Sequence, residues 1–345
     1  MSNIFHEIKR GFLILGFTGP LSSGCTTAAK FFADEIGSYI KKRHKQALPI
    51  IEKAIRHSYQ KLNQLKRKLY DAEPSSKHKL FKEINKLSSS LKEKLYLRET
   101  LSILDEYSDV KFKYISMTDM LLKLTIENLI SIDERDLLKG DVLRLKELID
   151  FDSRKLDKSI EISKQIRNRE LTSLTKVDIE IYEEFLGYIQ SYKELLKKKF
   201  SDSLGSLLQD LGDNARRCGN PIDFKTNFKK EKARSLFVLA EEANDIVKFH
   251  RFKRRKEFGK HIYKEFVIEA FRNPYEVEYF RNRYYEFFLF SIYAPLELRK
   301  IRKNYDVDRD KRDRGVGLKN NEFYKQNVSE CVYLSDIAVN NDTTK

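Results

Sequence analysis

The chain has 345 residues, enough for one large domain or two ordinary ones with a substantial core, so size excludes little. Charged residues make up 34% and hydrophobic ones 41%, with no Trp and only 6 Pro, a balance that favours long amphipathic helices and argues against an all-β fold. The formal net charge of +15 suits a polyanion, whether nucleotide, nucleic acid or acidic membrane surface, although much of the excess lies as Lys on helix faces, as in KELLKKKF from Lys193.

Cys25, Cys218 and Cys331 form an odd set without C-x-x-C spacing, so the sequence suggests neither a disulfide framework nor a zinc site, and it reads as cytoplasmic and reduced. No apolar run approaches a membrane span, and the N-terminal apolar segment comes too late and is too brief for a signal peptide; no membrane partner is expected.

In chain order, Phe12 to Phe17 is a short continuous apolar run that reads as a buried strand. It is followed by Thr18, Gly19 and Pro20 and then by apolar residues at helical spacing. Strand, glycine turn and helix form the context of a phosphate-binding loop, whose pattern is G-x-x-x-x-G-K-[ST]. Here Gly19, four residues, Gly24, Cys25 and Thr26 occupy that pattern, with cysteine in place of lysine. Gly19, Pro20, Ser22, Ser23, Gly24, Cys25, Thr26 and Thr27 are therefore the candidate phosphate-binding residues, working through backbone N–H groups at a helix N-terminus. Thr26 stands where a Mg²⁺ ligand is expected.

From residue 46 to 107, Ile51, Ile55, Tyr59, Leu62, Leu65 and Leu69 recur at steps of four and three, AEPSS interrupts, and Leu80, Ile84, Leu87, Leu91 and Leu95 resume. That pattern predicts a helical hairpin with a coiled-coil-like seam and Lys-rich outer faces. Residues 108–136 supply a second strand around Phe112, Tyr114 and Ile115 and a helix for which Ser116 and Thr118 are plausible caps. Residues 137–204 read as a second helical insertion.

Residues 205–345 return to alternating units: a strand near Phe266 to Phe271, a helix opening at Pro274, a strand from Phe287 to Tyr293, a helix opening at Pro295, and a final helix and strand, Asp336 to Val339. Five strands separated by helices predict an α/β fold with a mostly parallel sheet flanked by helices, its first part being residues 1–45 and its second 205–345. Glu269, at the end of its strand, is the candidate partner for Mg²⁺ or its water, and Arg272 lies within reach of a bound anion. The segment 299–315 carries Arg299, Arg302, Arg309, Arg312 and Arg314 interleaved with Asp; it reads either as a lid over polyphosphate or as a self-paired solvated loop. A zinc deaminase needs H-x-E followed by P-C-x-x-C, and none of the six histidines begins such a motif.

Four stretches, GFTGPLSSGCTTAAKFF, LLQDLGDNARRCGNP, EAFRNPYEVEYFRNRYYEFFLFSIYAPLELRKIR and QNVSECVYLSDIAVNND, resemble in that order the N-terminal P-loop kinase-like domain of bacterial anti-phage deoxycytidylate deaminase-type defence proteins. More remotely, the order is similar to nucleoside monophosphate kinases and dephospho-coenzyme A kinases. The resemblance implies a P-loop NTPase fold that binds ATP or a deoxynucleotide with Mg²⁺: Gly19, Gly24 and Thr26 match the loop, Glu269 stands where such kinases have an aspartate, and Arg272 and Asn273 match the R-N pair that follows. Phosphoryl transfer would then use Thr26 with Mg²⁺, Glu269 as metal or base partner and one or more of Arg299, Arg302, Arg309 and Arg312 as charge stabilisers. It further implies action with a deaminase domain or partner protein, because the chain ends at Lys345 where that family's deaminase begins, and it allows a homo-oligomer. Cys25 departs from the pattern and leaves two other readings open: a nucleotide sensor or assembly protein without turnover, or a basic nucleic-acid-binding protein using the Lys-rich hairpin and RFKRRK from Arg251.

Overall fold

The computed structural model describes residues 13–106, 112–131, 140–258, 265–302 and 305–342. Its strands are β1 (Ile14–Thr18), β2 (Lys113–Ser116), β3 (Phe266–Glu269), β4 (Phe287–Tyr293) and β5 (Ile337–Asn340). They form one all-parallel sheet in the order β2-β3-β1-β4-β5, which is the α/β architecture expected from the alternating pattern. Phe12, expected in the first strand, lies outside the described residues, and the third strand ends at Glu269, two residues short of the expected Phe271.

β1 occupies the centre of the sheet and is buried along its whole length, as its unbroken apolar sequence requires of a strand covered on both faces. Gly16 is dictated by packing: a Cβ there would meet the Phe287 ring at 2.8 Å and the Phe271 ring at 2.9 Å. One residue on, Phe17 stacks on Phe290 with centroids 5.2 Å apart.

The chain divides into two compact units, residues 31–111 on one side and residues 1–30 with 112–345 on the other. In the smaller unit a π-helical turn (Phe31–Glu35) leads into α2 (Ile36–Asp71), which pairs with α3 (Pro74–Glu106). The seam buries Ile55, Leu62, Leu65, Ile84 and Leu91, so the hairpin pattern is realised, with a start ten residues earlier in the chain than residue 46. A polar pair sits within the seam: Lys94 donates to the buried Ser58 hydroxyl at 2.8 Å, and that hydroxyl donates to the Ala54 carbonyl at 2.8 Å. Such a pair fixes one register, since sliding the helices would strand it among leucines.

The larger unit holds α1 (Cys25–Lys30), α4 (Met117–Ser131), α5 (Gly140–Glu147), α6 (Ser153–Arg167), α7 (Lys176–Phe200), α8 (Leu204–Cys218), α9 (Val238–Phe258), α10 (Pro274–Arg283), α11 (Leu296–Ile301), α12 (Val307–Asp313) and α13 (Val328–Tyr333). The second helical tract is no appendage: Leu145, Ile162, Tyr182, Phe185, Ile189 and Tyr192 belong to the same buried cluster as Ile115 and Phe266 of the strands. Local chemistry sets the helix starts. Thr175 and Asp178 form a reciprocal capping box on α7, and Asn273 and Glu276 do the same on α10, with Pro274 at the first helical position. Ser116 caps nothing in this way; its hydroxyl donates to Glu269 at 3.2 Å.

Much of the buried charge in this unit is paired. Lys123 on α4 is 1% exposed and donates to Glu127 and to Glu242 of α9 at 2.7 Å each, while Arg167 of α6 reaches Glu242 at 2.5 Å. Burial alone would lower the Lys123 pKa, but the two glutamates outweigh it and hold the ammonium well above its usual range. Among the described residues no helix is long and apolar enough to cross a membrane.

Candidate functional site

The chain leaves β1 toward the β3 and β2 side of the sheet and leaves β4 toward β5. Where neighbouring parallel strands send their connections in opposite directions, a crevice opens beyond their carboxyl ends, and α/β sheets bind ligands there. The Gly19–Gly24 loop occupies that position, between β1 and α1.

Its path depends on residues that accept unusual backbone angles. Gly19 has φ 156°, Ser22 φ 62° and Gly24 φ 103°. A Cβ on Gly19 would lie 2.4 Å from the Ile292 carbonyl of β4, and one on Gly24 would lie 2.4 Å from Nδ2 of Asn341. The Ser23 N–H donates to the Pro20 carbonyl at 3.0 Å and closes the turn.

The loop's carbonyls are held from one side. Nη1 of Arg299 donates to Leu21 O at 3.2 Å, and Nη1 of Arg302 donates to Ser22 O and Ser23 O at 2.9 and 3.1 Å. Asn341, just past β5, donates to Ser23 O at 2.8 Å, and its own carbonyl accepts from Nη2 of Arg302 at 3.1 Å. The first helical bond of α1 runs from the Ala28 N–H to the Gly24 carbonyl at 2.9 Å, so the amides of Cys25, Thr26 and Thr27 precede the helix ladder. Both Thr26 and Thr27 are exposed.

Cys25 turns its thiol inward, with Sγ 3.4 Å from the Ser23 hydroxyl. Burial pushes its pKa up to about 11; the Ser23 hydrogen bond and the Arg272 charge oppose this, and Glu269 and Asp313 add to it. These four groups, Cys25, Glu269, Arg272 and Asp313, are thus close enough to alter one another's ionisation.

Glu269 ends β3 in register with Phe17 of β1 and is 5% exposed. One of its oxygens accepts from Ser116, and the other, Oε2, is buried with no hydrogen-bond partner. Beside it the Tyr114 phenol is pushed far above its usual range, first by burial and then by the Glu269 charge. Ala270, at φ 67°, turns the chain across the end of β1, where the Thr18 hydroxyl donates to Phe271 O at 2.8 Å and the Phe271 N–H donates to Phe17 O at 3.1 Å. The unmet carboxylate oxygen of Glu269 and the exposed Thr26 hydroxyl are each hard donors of the kind Mg²⁺ accepts.

The arginine-rich segment is tied into the fold. Arg299 pairs with the buried Asp310, which also accepts from Arg314 at 3.0 Å, and Arg272 pairs with the buried Asp313. Arg312 is not at the loop at all; it joins Asp210 and Asp213 of α8 at 2.9 and 2.8 Å. Arg309 differs from these. It lines a cavity of about 130 Å³ with Leu21, Thr118, Gln209, Arg272 and Asp313. Its Nε and the Gln209 Oε1 are both buried without a hydrogen-bond partner. The guanidinium lies over Gly205, where a Cβ would come within 1.9 Å of Cζ.

The structure thus gathers the loop residues with Glu269, Arg272, Arg299, Arg302 and Arg309 at one end of the sheet and places Arg312 elsewhere. It adds Asn341, Gln209 and Asp313, which no spacing rule singled out; Asn341 alone had a local signal, its position directly after the last strand. Comparison with protein-family models, with curated proteins and with solved structures finds no significant match to this chain.

Proposed function

We propose that this chain binds a nucleoside polyphosphate, ATP or a deoxynucleotide with Mg²⁺, at the Gly19–Thr27 loop, as a P-loop protein of the nucleotide-kinase type. The observation that carries the reading is the division of the loop: its carbonyls are taken by Arg299, Arg302 and Asn341, while the amides that open α1 lie ahead of the helix ladder. Amides so placed at a helix N-terminus favour phosphate oxygens. The charge usually supplied by lysine falls to Arg272, the cation that acts most strongly on the Cys25 thiol. Glu269 and Thr26 would hold the metal, which supplies charge neutralisation at the phosphates when bound.

On this reading the cavity lined by Arg309 and Gln209 receives the anionic end of the acceptor, and Arg299 and Arg302 set the loop's shape while Arg312 only anchors α12. The resemblance to anti-phage deaminase-type proteins gives the proposal its setting, a nucleotide-binding module acting with a deaminase domain or partner. Titration calorimetry with ATP, dCTP and dCMP, each with Mg²⁺, tests it. Binding of a triphosphate is expected, and Gly24→Asp should abolish it, because the new side chain collides with Asn341 and places a negative charge in the cradle. Gly205→Ala, which displaces the Arg309 guanidinium, should leave triphosphate binding intact and weaken dCMP binding roughly tenfold, the weight of one charge-assisted hydrogen bond. Folded protein that binds none of these ligands defeats the proposal. Binding without any phosphate release or transfer favours the sensor reading, for which the Arg272 to Asp313 pair and Cys25 already speak.

A further inference from the structure

The hairpin α2–α3 plays no part in that reading, and its surface has a chemistry of its own. Along the pair, exposed lysines and arginines far outnumber the exposed acids Glu52, Glu73, Glu83, Glu93 and Glu99 among the described side chains. The bias is concentrated at the tip, where the last two turns of α2 present Lys66, Arg67 and Lys68 and the first turns of α3 present Lys77, Lys79 and Lys82. None of these six has an ion-pair partner among the described residues. Between them stand two aromatic side chains that the fold leaves in solvent: Tyr70 is 89% exposed and Phe81 53% exposed.

Exposure of a large ring costs free energy that burial in the seam would recover, and the seam is nearby: Leu69 and Leu80, each one residue before a ring, pack against it. The rings are therefore turned outward while their neighbours turn in. Cations flanking exposed rings make the two halves of a site for an unpaired polynucleotide, with cations for the phosphates and rings on which bases stack. A membrane surface fits less well, since an interfacial helix needs a free apolar face, and here that face is spent in the seam on Ile55, Leu62, Leu65, Ile84 and Leu91.

We propose that the tip of the α2–α3 hairpin binds single-stranded nucleic acid, with Lys66, Arg67, Lys68, Lys77, Lys79 and Lys82 on the phosphates and Tyr70 and Phe81 stacked on bases. The inference is independent of nucleotide binding at the loop.

Fluorescence anisotropy of the full chain with a labelled mixed-sequence DNA strand of about 30 nucleotides, measured across a salt series, tests it. Replacing Lys66, Arg67 and Lys68 by Gln should flatten the slope of log K against log salt by about 2, at about 0.7 per phosphate contact, and weaken binding about tenfold or more at moderate salt. Replacing Lys77, Lys79 and Lys82 by Gln should do the same from the other helix. Tyr70→Ala and Phe81→Ala should each lower affinity about tenfold and leave the salt slope unchanged. All these side chains are exposed, so helix content by circular dichroism should not move. Gly24→Asp, which disables the loop, should bind the strand as well as the parent does.

Absence of binding at low salt overturns the proposal, as does binding indifferent to both tip variants. Anionic phospholipid vesicles or polyglutamate bound as tightly as the strand would assign the tip to a membrane or an acidic protein instead. A duplex bound more tightly than the single strand would remove the stacking role.

Discussion

The two units handle charge in opposite ways. In the sheet-bearing unit a buried cation comes with its acid: Lys123 with Glu127 and Glu242, Arg216 with Asp213 and Glu276, Arg299 with Asp310. On the hairpin most cations face water, and the one described ion pair there, Lys61 with Glu83 at 3.8 Å, is half exposed on both sides. A charge removed from water costs several kcal/mol unless paired, whereas a hydrated one costs nothing to leave alone. Pairing is thus compelled in the first unit and optional in the second, so the lack of an ion-pair partner for the six tip cations among the described residues carries information about binding that the core pairs do not.

The sharpest way to break this contrast is to remove one member of a buried pair. Lys123→Met leaves Glu127 and Glu242 in the interior with Arg167 as their remaining cation, and should cost about 3 to 5 kcal/mol in urea unfolding at neutral pH. The pH dependence has a definite sign. Burial raises the Glu242 pKa, but Lys123 and Arg167 outweigh it and hold it below the usual 4.5; its contribution is present above that value and is lost as pH falls through the depressed one. Without Lys123 the Glu242 carboxylate takes up its proton sooner, so the variant's deficit should narrow on acidification, and a deficit constant from pH 7 to pH 4 would contradict the pairing.

A neutral group beside the Gly19–Gly24 loop reports the same kind of desolvation. The Cys25 thiol, raised from 9.0 to about 11, should react with iodoacetamide at pH 8 about a hundredfold more slowly than an ordinary exposed thiol, following its thiolate fraction. Mass-spectrometric counting of labelled peptides separates it from Cys218. Smallest of all, Lys61→Ala should leave the thermal midpoint unchanged within error, as an exposed pair predicts. A drop of several degrees would show that hairpin charges are not free in the sense argued.

Much of the sheet was legible because parallel strands are written as short, largely apolar runs: FFLFSIY at β4 and ILGFT at β1 need no tertiary context to be read. The seam of the hairpin was legible for the same reason, from helical spacing alone. What Tyr182, Phe185 and Ile189 would cover was not, since a periodic face says that something is buried and not what against; their merger into the main core is a long-range fact. Ser116 was misread as a cap because capping chemistry and a hydrogen bond to a residue 153 positions away look identical in a local window. At the site, the glycines announced the loop, but Asp313, Gln209 and Asn341 entered only through folding, and the arginines of residues 299–315 could not be sorted into tethered and unpaired until their aspartates were placed.

The way the loop is held bears on when it can exist. Ser22 meets Arg302 across 280 residues and Ser23 meets Asn341 across 318, and β1 itself pairs only with strands that begin at Phe266 and Phe287. On a ribosome the Gly19–Gly24 loop would therefore emerge among the earliest segments and take its shape among the last. Contacts of such separation form slowly, and until they do the apolar β1 has no neighbour to hydrogen-bond. A nascent chain of this protein would thus be unable to shape the Gly19–Gly24 loop until β5 had been made.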